Sequence, residues 1–307
     1  MFKKNSVLRE FYKNRVLTLM ILPAVLYYFI FSYIPMGGII IAFKNYDYNR
    51  GILNSPWVKF ENFRFFFISG QAMRITLNTI GYNIAFIIVN ILFQVTTAIL
   101  LSEVSGKYFK KTTQTLLLLP YFISWVVAGA IMYNLFDYNT GVVNSFLKSI
   151  GMMPVDVYNN TKIWPYLIII FRVWKDLGYG TIIYLASITN IPQEMYESAD
   201  IDGASIFQKI YYITLPYLKP IIIILVLLSL GRIVKGDFAM FYNITGNSAM
   251  LYDVTDVIDT FVYRSLQQNQ DFGMAAAAGV YQSVLGFIII MITNSIIKKV
   301  QPDYTLF

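Results

Sequence analysis

The chain has 307 residues, of which 57% are hydrophobic and only 13% charged, about half the charged share of soluble domains. Cysteine and histidine are both absent, which excludes a thiol nucleophile, an imidazole base, a haem histidine and any Cys/His zinc site. The formal net charge of +7 suits a membrane protein with basic ends and does not argue for nucleic acid as a partner.

Six apolar runs are long enough to cross a bilayer, which takes about 20 residues, and each is expected to be a helix that satisfies its own backbone in lipid. The first, 16–43, continues well past the length of a signal-peptide core without a small-residue cleavage site, so it reads as a retained anchor. After it, WVKFENFRFFFIS carries aromatics at Trp57, Phe60, Phe63, Phe65, Phe66 and Phe67. It reads first as an amphipathic helix at the outer interface, with contact to a binding protein as the alternative.

The second run is 75–101 and the third 112–135, joined by a short connection with Lys107, Lys110 and Lys111. The fourth, 163–189, contains FRVWKDLGYG. Charge inside a membrane is costly and points to function, yet Arg172 and Asp176 lie four apart on one helix face and can neutralise each other. Both readings stand: an internal pair, or a contact with cargo. Gly178 and Gly180 beside them allow a bend or a close helix approach.

The fifth run is expected at 217–235 and the sixth at 274–297. An even number of spans puts both termini on one side. Lys3, Lys4, Arg9, Lys13 and Arg15 before the first span, the lysines at 107–111, and Lys298 and Lys299 after the last make that side cytoplasmic, by density of positive charge more than by number. Beyond the fifth run, GRIVKGDFAMFYNITGN places Asp237, Phe241, Tyr242 and Asn243 near the outer half, a mixture of rings and hydrogen-bonding groups that suits sugars. The outer connection 236–273, with Asp253, Asp256 and Asp259, reads as a solvated loop or a docking surface. With no repeat and no linker, residues 1–307 form a single membrane domain.

Between the fourth and fifth runs lies a polar insert, 190–216, with Glu194, Glu197, Asp200 and Asp202 close together. Pro192 suits a first helical turn, and QEMYESADID predicts a short helix broken at Gly203 by a positive φ. Ser205 and Gln208 stand at capping-box spacing and start a second short helix, IFQKIYYI, before Pro216 and Pro220 open the fifth span. Such a bent pair either lies on the membrane surface or meets a partner.

The insert resembles a known motif. Glu197-Ser198-Ala199, then Gly203, then Ile213-Thr214-Leu215-Pro216 is similar to the "EAA" loop of permease subunits in binding-protein-dependent ABC importers, with every spacing met and Ser198 replacing one small alanine. The stretches 34–67, 173–204 and 256–268 are similar to the carbohydrate-importing, lipoprotein-associated group. This resemblance implies an all-α polytopic fold of type I importer permeases. It implies that Glu197, Ala199, Asp202, Gly203, Phe207, Leu215 and Pro216 couple the spans to a cytosolic ATPase, and that the fourth to sixth spans and their connections line the substrate cavity. The motif assigns no individual contacts there, and the residues expected on the path from their own chemistry are Asp237, Phe241, Tyr242, Asn243, Arg172 and Asp176. The partners it implies are a second related permease, two ATP-binding cassette subunits, an extracellular solute-binding lipoprotein and an oligosaccharide, in the cytoplasmic membrane of a bacterium.

The chain has no G-x-x-x-x-G-K-[ST] loop to cradle phosphates, so it is expected to be a transport subunit and not an enzyme, with ATP and Mg held by its partners and no cofactor of its own. An ion-coupled secondary transporter, a membrane enzyme and an importer of peptides are the competing expectations. The first of these has no use for a docking loop, and the second lacks a catalytic constellation around the acids of the insert.

Overall fold

A computed structural model describes residues 13–300; Lys3, Lys4 and Arg9, which entered the orientation argument, lie outside the described residues. The described chain is almost wholly helical, and its strand-like pairing is one isolated bridge between Lys44 and Trp57. Helices longer than one turn are numbered in chain order: α1 Arg15–Phe43, α2 Glu61–Ile68, α3 Gln71–Glu103, α4 Lys107–Phe122, α5 Trp125–Phe136 and α6 Val142–Ser149. They continue with α7 Trp164–Thr189, α8 Gln193–Ile201, α9 Ile206–Leu230, α10 Phe238–Ile244, α11 Ile258–Gln267 and α12 Phe272–Val300.

Four of these, α1, α3, α9 and α12, are long and apolar enough to cross a membrane by composition alone. The 26 residues of α7 reach about 39 Å at 1.5 Å per residue, enough to span, but Arg172, Lys175 and Asp176 at its centre break the apolar count. The expected third span, 112–135, is not one helix. It divides into α4 and α5, which meet at 97°. Pro120 weakens the last turn of α4, the Lys175 ammonium takes the freed carbonyls of Pro120 (3.3 Å), Tyr121 (2.9 Å) and Ile123, and the Ser124 hydroxyl caps α5 by accepting the Val127 N–H at 3.3 Å.

The fifth span also departs from expectation. It begins at Ile206 instead of 217 and ends at Leu230 instead of 235, so the second arm of the insert and the span are one helix. Pro216 does not interrupt it, because a π turn at Ile210–Thr214 opens the backbone where the proline ring would strike the Tyr212 carbonyl. The same device sits in α1, where a π turn at Phe29–Tyr33 precedes Pro35 and the helix tightens to 3₁₀ from Ile34 to Phe43.

Three clusters hold the bundle. Tyr82, Phe86, Trp164, Ile168 and Phe241 form one end of the α3–α7 contact, and Val95, Ala98, Tyr184, Leu185 and Leu218 form the other. Helices α3 and α7 therefore run in the same direction, with α4 and α5 returning between them. Phe66, Ile75, Phe261 and Ala278 tie α2 and α11 to α3 and α12. Helix α2 is shorter than the aromatic run suggests: Phe66 is core, and Trp57 lies before the helix, 4.9 Å from the buried Lys44 ammonium. That ammonium donates to the carbonyls of Ile52 and Leu53 and pins the loop between α1 and α2.

The connection 236–273, expected as an outer solvated loop or docking surface, is not a solvated loop. Asp256 is 2% exposed and pairs with Arg264, and Asp259 accepts the Gly236 N–H and the Gln282 amide. Only Asp253 of the three expected acids is free of burial, and it pairs with Arg74 at 2.5 Å.

The two glycines beside the charged turn of α7 mark its closest approaches. A Cβ on Gly178 would stand 2.1 Å from the Leu117 carbonyl oxygen of α4, and one on Gly180 would stand 2.0 Å from the Gln94 side chain of α3. Gly178→Leu is expected to prevent α4 from seating, since a backbone carbonyl cannot yield as a side chain can, and overpacking costs about 1–3 kcal/mol or more. Fluorescence-detected size exclusion after detergent extraction should show little monodisperse protein. Gly81→Leu, where nothing lies within 4 Å of the added Cβ, should extract normally. Equal behaviour of the two variants would refute the close approach.

Candidate functional site

A cavity of about 580 Å³ opens between α3, α7 and α9, with Tyr121 of α4 at its side. Its wall on α3 carries Asn83, Asn90 and Gln94, spaced seven and four apart and therefore on one helical face. Gln94 donates to the Asp176 carbonyl at 3.0 Å, and Asn83 reaches across to the carbonyls of Ile233 and Lys235 at 2.9 and 3.0 Å. The Asn90 Oδ1 is buried with no hydrogen-bond partner. Tyr121 and Tyr179 stack with centroids 4.8 Å apart and planes 9° from parallel, a flat aromatic surface at the cavity edge.

The charges of α7 are joined to a residue 61 positions beyond Asp176 in the chain. Arg172 pairs with Asp176 at 2.6 Å on its own helix and with Asp237 at 2.7 Å ahead of α10. The Trp125 indole N–H also donates to Asp237 at 3.0 Å, so the cluster holds the first turn of α5, just past the break, while Lys175 holds the end of α4. Asp237 caps α10 by accepting the Met240 N–H at 3.1 Å. Arg172 and Asp176 line the cavity, and Asp237 backs them.

The other expected path residues are placed differently. Phe241 is 2% exposed and its ring packs on Tyr82 and Phe86, so in this conformation it is core. Tyr242 stacks on Phe238 and meets Tyr263 edge-on, and burial together with the Tyr263 phenol raises its pKa. Asn243 returns its amide to the Ala239 carbonyl, and its backbone is where α5 packs against α10 at Gly129. Burial also pushes the Asp259 carboxyl up, against the bonds from Gly236 and Gln282 that favour its charged form.

At the opposite end of the bundle, α8 and the start of α9 form the elbow. Gly203 turns it with φ +76°, the capping box of Ser205 and Gln208 is complete, and Pro192 is the N-cap of α8. The arms are tied by Lys209 to Asp200 at 2.7 Å and by Tyr196 to the Thr214 hydroxyl at 2.9 Å. Glu197 and Asp202 are exposed, and Ala199, Leu215 and Ile213 are partly covered. At the bend Ile201 is 87% and Phe207 79% exposed.

Residues 94–302, which include this elbow and most of the cavity, match the family described as "Binding-protein-dependent transport system inner membrane component". The chain belongs to that family. The permease is 34% identical to the polygalacturonan/rhamnogalacturonan transport system permease protein YteP of Bacillus subtilis (strain 168), over 97% of this chain and 92% of that one. It is 29% identical to the arabinooligosaccharides transport system permease protein AraP of Halalkalibacterium halodurans, over 94% of this chain and 90% of that one. Among solved structures it resembles a bacterial ABC transporter involved in the import of the acidic polysaccharide alginate, with a TM-score of 0.86 and 30% identity over 96% of this chain and 99% of that one. That transporter is also known in complex with an alginate pentasaccharide-bound periplasmic protein. The permease is accordingly a membrane-embedded transport subunit of an ABC importer with the type I permease fold, and it is not itself an enzyme.

Of the cavity, sequence reasoning named Arg172 and Asp176 and missed Asn83, Asn90, Gln94, Tyr121, Tyr179 and Arg232. The amides carried a usable signal, three polar residues on one face of a long apolar run. The tyrosines carried none, being indistinguishable by type from interfacial ones.

Proposed function

We propose that the permease moves an oligosaccharide across the cytoplasmic membrane of a bacterium by alternating access, both termini in the cytosol. The observation that supports this most is the cavity itself: amides, two guanidinium groups and a carboxylate beside stacked tyrosines, in a volume of about 580 Å³. Hydroxyls need directional donors and acceptors, and the C–H faces of sugar rings need aromatic planes; the cavity offers both. The relatives named above carry sugar chains, some acidic and some described without charge.

In this reading Arg172, Asp176 and Asp237 keep the charged turn of α7 fixed at the cavity wall, and Tyr242 and Asn243 shape the packing behind it. Two ATP-binding subunits supply the energy, one of them docked on the elbow, where Glu197, Ala199, Asp202, Gly203, Phe207, Leu215 and Pro216 transmit its closure. A second related permease completes the pathway, and an extracellular solute-binding lipoprotein delivers the cargo. The continuity of α9 supports this lever, since a displaced elbow moves the fifth span without an intervening joint.

The test is reconstitution with the two ATP-binding subunits, the second permease and the binding protein in proteoliposomes. ATP-dependent accumulation of labelled oligosaccharide is the expected result. Accumulation driven by a proton or sodium gradient without ATP would replace the reading with secondary transport, and accumulation of peptides with no carbohydrate would replace the cargo.

A further inference from the structure

Arg232 stands apart from the other charges of the cavity. The ion pairs of the wall all run through Arg172, whereas the Arg232 side chain, which also lines the cavity, has neither an ion pair nor a hydrogen bond among the described residues. The backbone that presents it is pinned. Asn83 holds the Ile233 and Lys235 carbonyls, Gln282 holds the Val234 carbonyl at 2.8 Å, and Asp259 holds the Gly236 N–H at 2.6 Å. Four consecutive residues after Arg232 are thus fixed by side chains from α3, α11 and α12. An exposed guanidinium offered from a fixed backbone at the cavity wall, with no carboxylate partner among the described residues, is arranged to meet an anion that arrives.

The anion must also suit its surroundings. The buried Asn90 Oδ1 is an unused acceptor on the α3 wall of the same cavity, suited to a hydroxyl donor, and the Tyr121–Tyr179 stack supplies an apolar plane. A phosphate or a small dicarboxylate has no use for that plane. A sugar acid uses all three: its carboxylate accepts a two-pronged bond from Arg232, a ring hydroxyl donates to Asn90, and its C–H face covers Tyr179. We infer that the cavity selects uronate-containing oligosaccharides over neutral ones through Arg232. This rests on the carbohydrate reading and narrows it.

Equilibrium binding to the assembled importer in nanodiscs, without its binding protein, tests it with tetragalacturonate and its carboxyl-reduced counterpart at low salt. The wild type should prefer the uronate at least tenfold. Arg232→Gln should abolish that preference while leaving the dissociation constant for the reduced sugar unchanged, which also shows that the variant is folded, and Arg232→Lys should keep most of it. Equal binding of the two sugars by the wild type, or equal weakening of both by Arg232→Gln, overturns the inference and leaves the carbohydrate reading standing. Binding of neither sugar, with no uptake of any carbohydrate in proteoliposomes, overturns both.

Discussion

Replacing Arg172 with methionine is expected to lower the stability of the permease by about 3 kcal/mol, the lower end of the cost of leaving a buried charge without its partner. The side chains of Arg172, Asp176 and Asp237 are 27%, 23% and 30% exposed, so solvent screens them somewhat and the full penalty does not apply. Without the guanidinium, two carboxylates share one cavity wall inside the bundle, and the α7 tie to α10 and, through Trp125, to α5 is lost. At about 2–4 °C per kcal/mol, the melting temperature in detergent should fall by roughly 6–12 °C. Arg172→Lys should recover little, because one ammonium lacks the planar fork that reaches both acids. Adding Asp176→Asn to the methionine variant should restore part of the loss by removing one uncompensated charge. Unchanged melting in the methionine variant would show that the cluster contributes nothing to holding the helices together.

That cluster also shows where reading the sequence stops. The pairing of Arg172 with Asp176 follows from a separation of four on a helix, and it is found. Its third member is fixed by the return of the chain after α9, and no local pattern announces a partner 65 residues away. The spans behave similarly. Apolar length located α1, α3 and α12 to within a few residues, because lipid leaves a long apolar segment little choice but helix. Apolar length could not reveal the break at Ile123, since the residues that stabilise it, Lys175 above all, come from another helix. Proline misled at the start of the fifth span for a related reason. Its missing N–H and its ring forbid a regular α-turn but not a π turn, and only the packing of Ile213, Leu215 and Leu218 against the α7 end shows which was chosen. The elbow was the most legible part, because its turn, its capping box and its glycine are all local. Lys44 was the least legible: a lysine at the end of an apolar run reads as reaching for water, and this one is 2% exposed beneath its own loop.

Truncating the two side chains at the tip of the elbow, Ile201→Ala with Phe207→Ala, should abolish ATP-driven uptake while leaving the permease folded. Both residues are largely exposed, at 87% and 79%, so the fold loses almost nothing when they are cut back. A docked ATPase would bury them, and burying a side chain of this kind stabilises by about 1.5–3 kcal/mol, so the pair is worth about 3–6 kcal/mol to association. At 1.4 kcal/mol per tenfold that is roughly a hundredfold or more in affinity, enough to strip the ATPase from the complex during purification. The loss is mechanical as well as adhesive. The ties from Lys209 to Asp200 and from Tyr196 to Thr214 make the elbow one rigid piece, and the unbroken α9 carries its motion into the wall of the cavity. An ATPase that grips Ile201 and Phe207, as proposed, would thereby grip the wall of the cavity. Co-purification of the ATP-binding subunits, melting temperature and oligosaccharide uptake, measured together on the double variant, separate the outcomes. A normal melting temperature with lost co-purification and lost uptake is the expected set, and retained co-purification with normal uptake would remove these two residues from the docking surface.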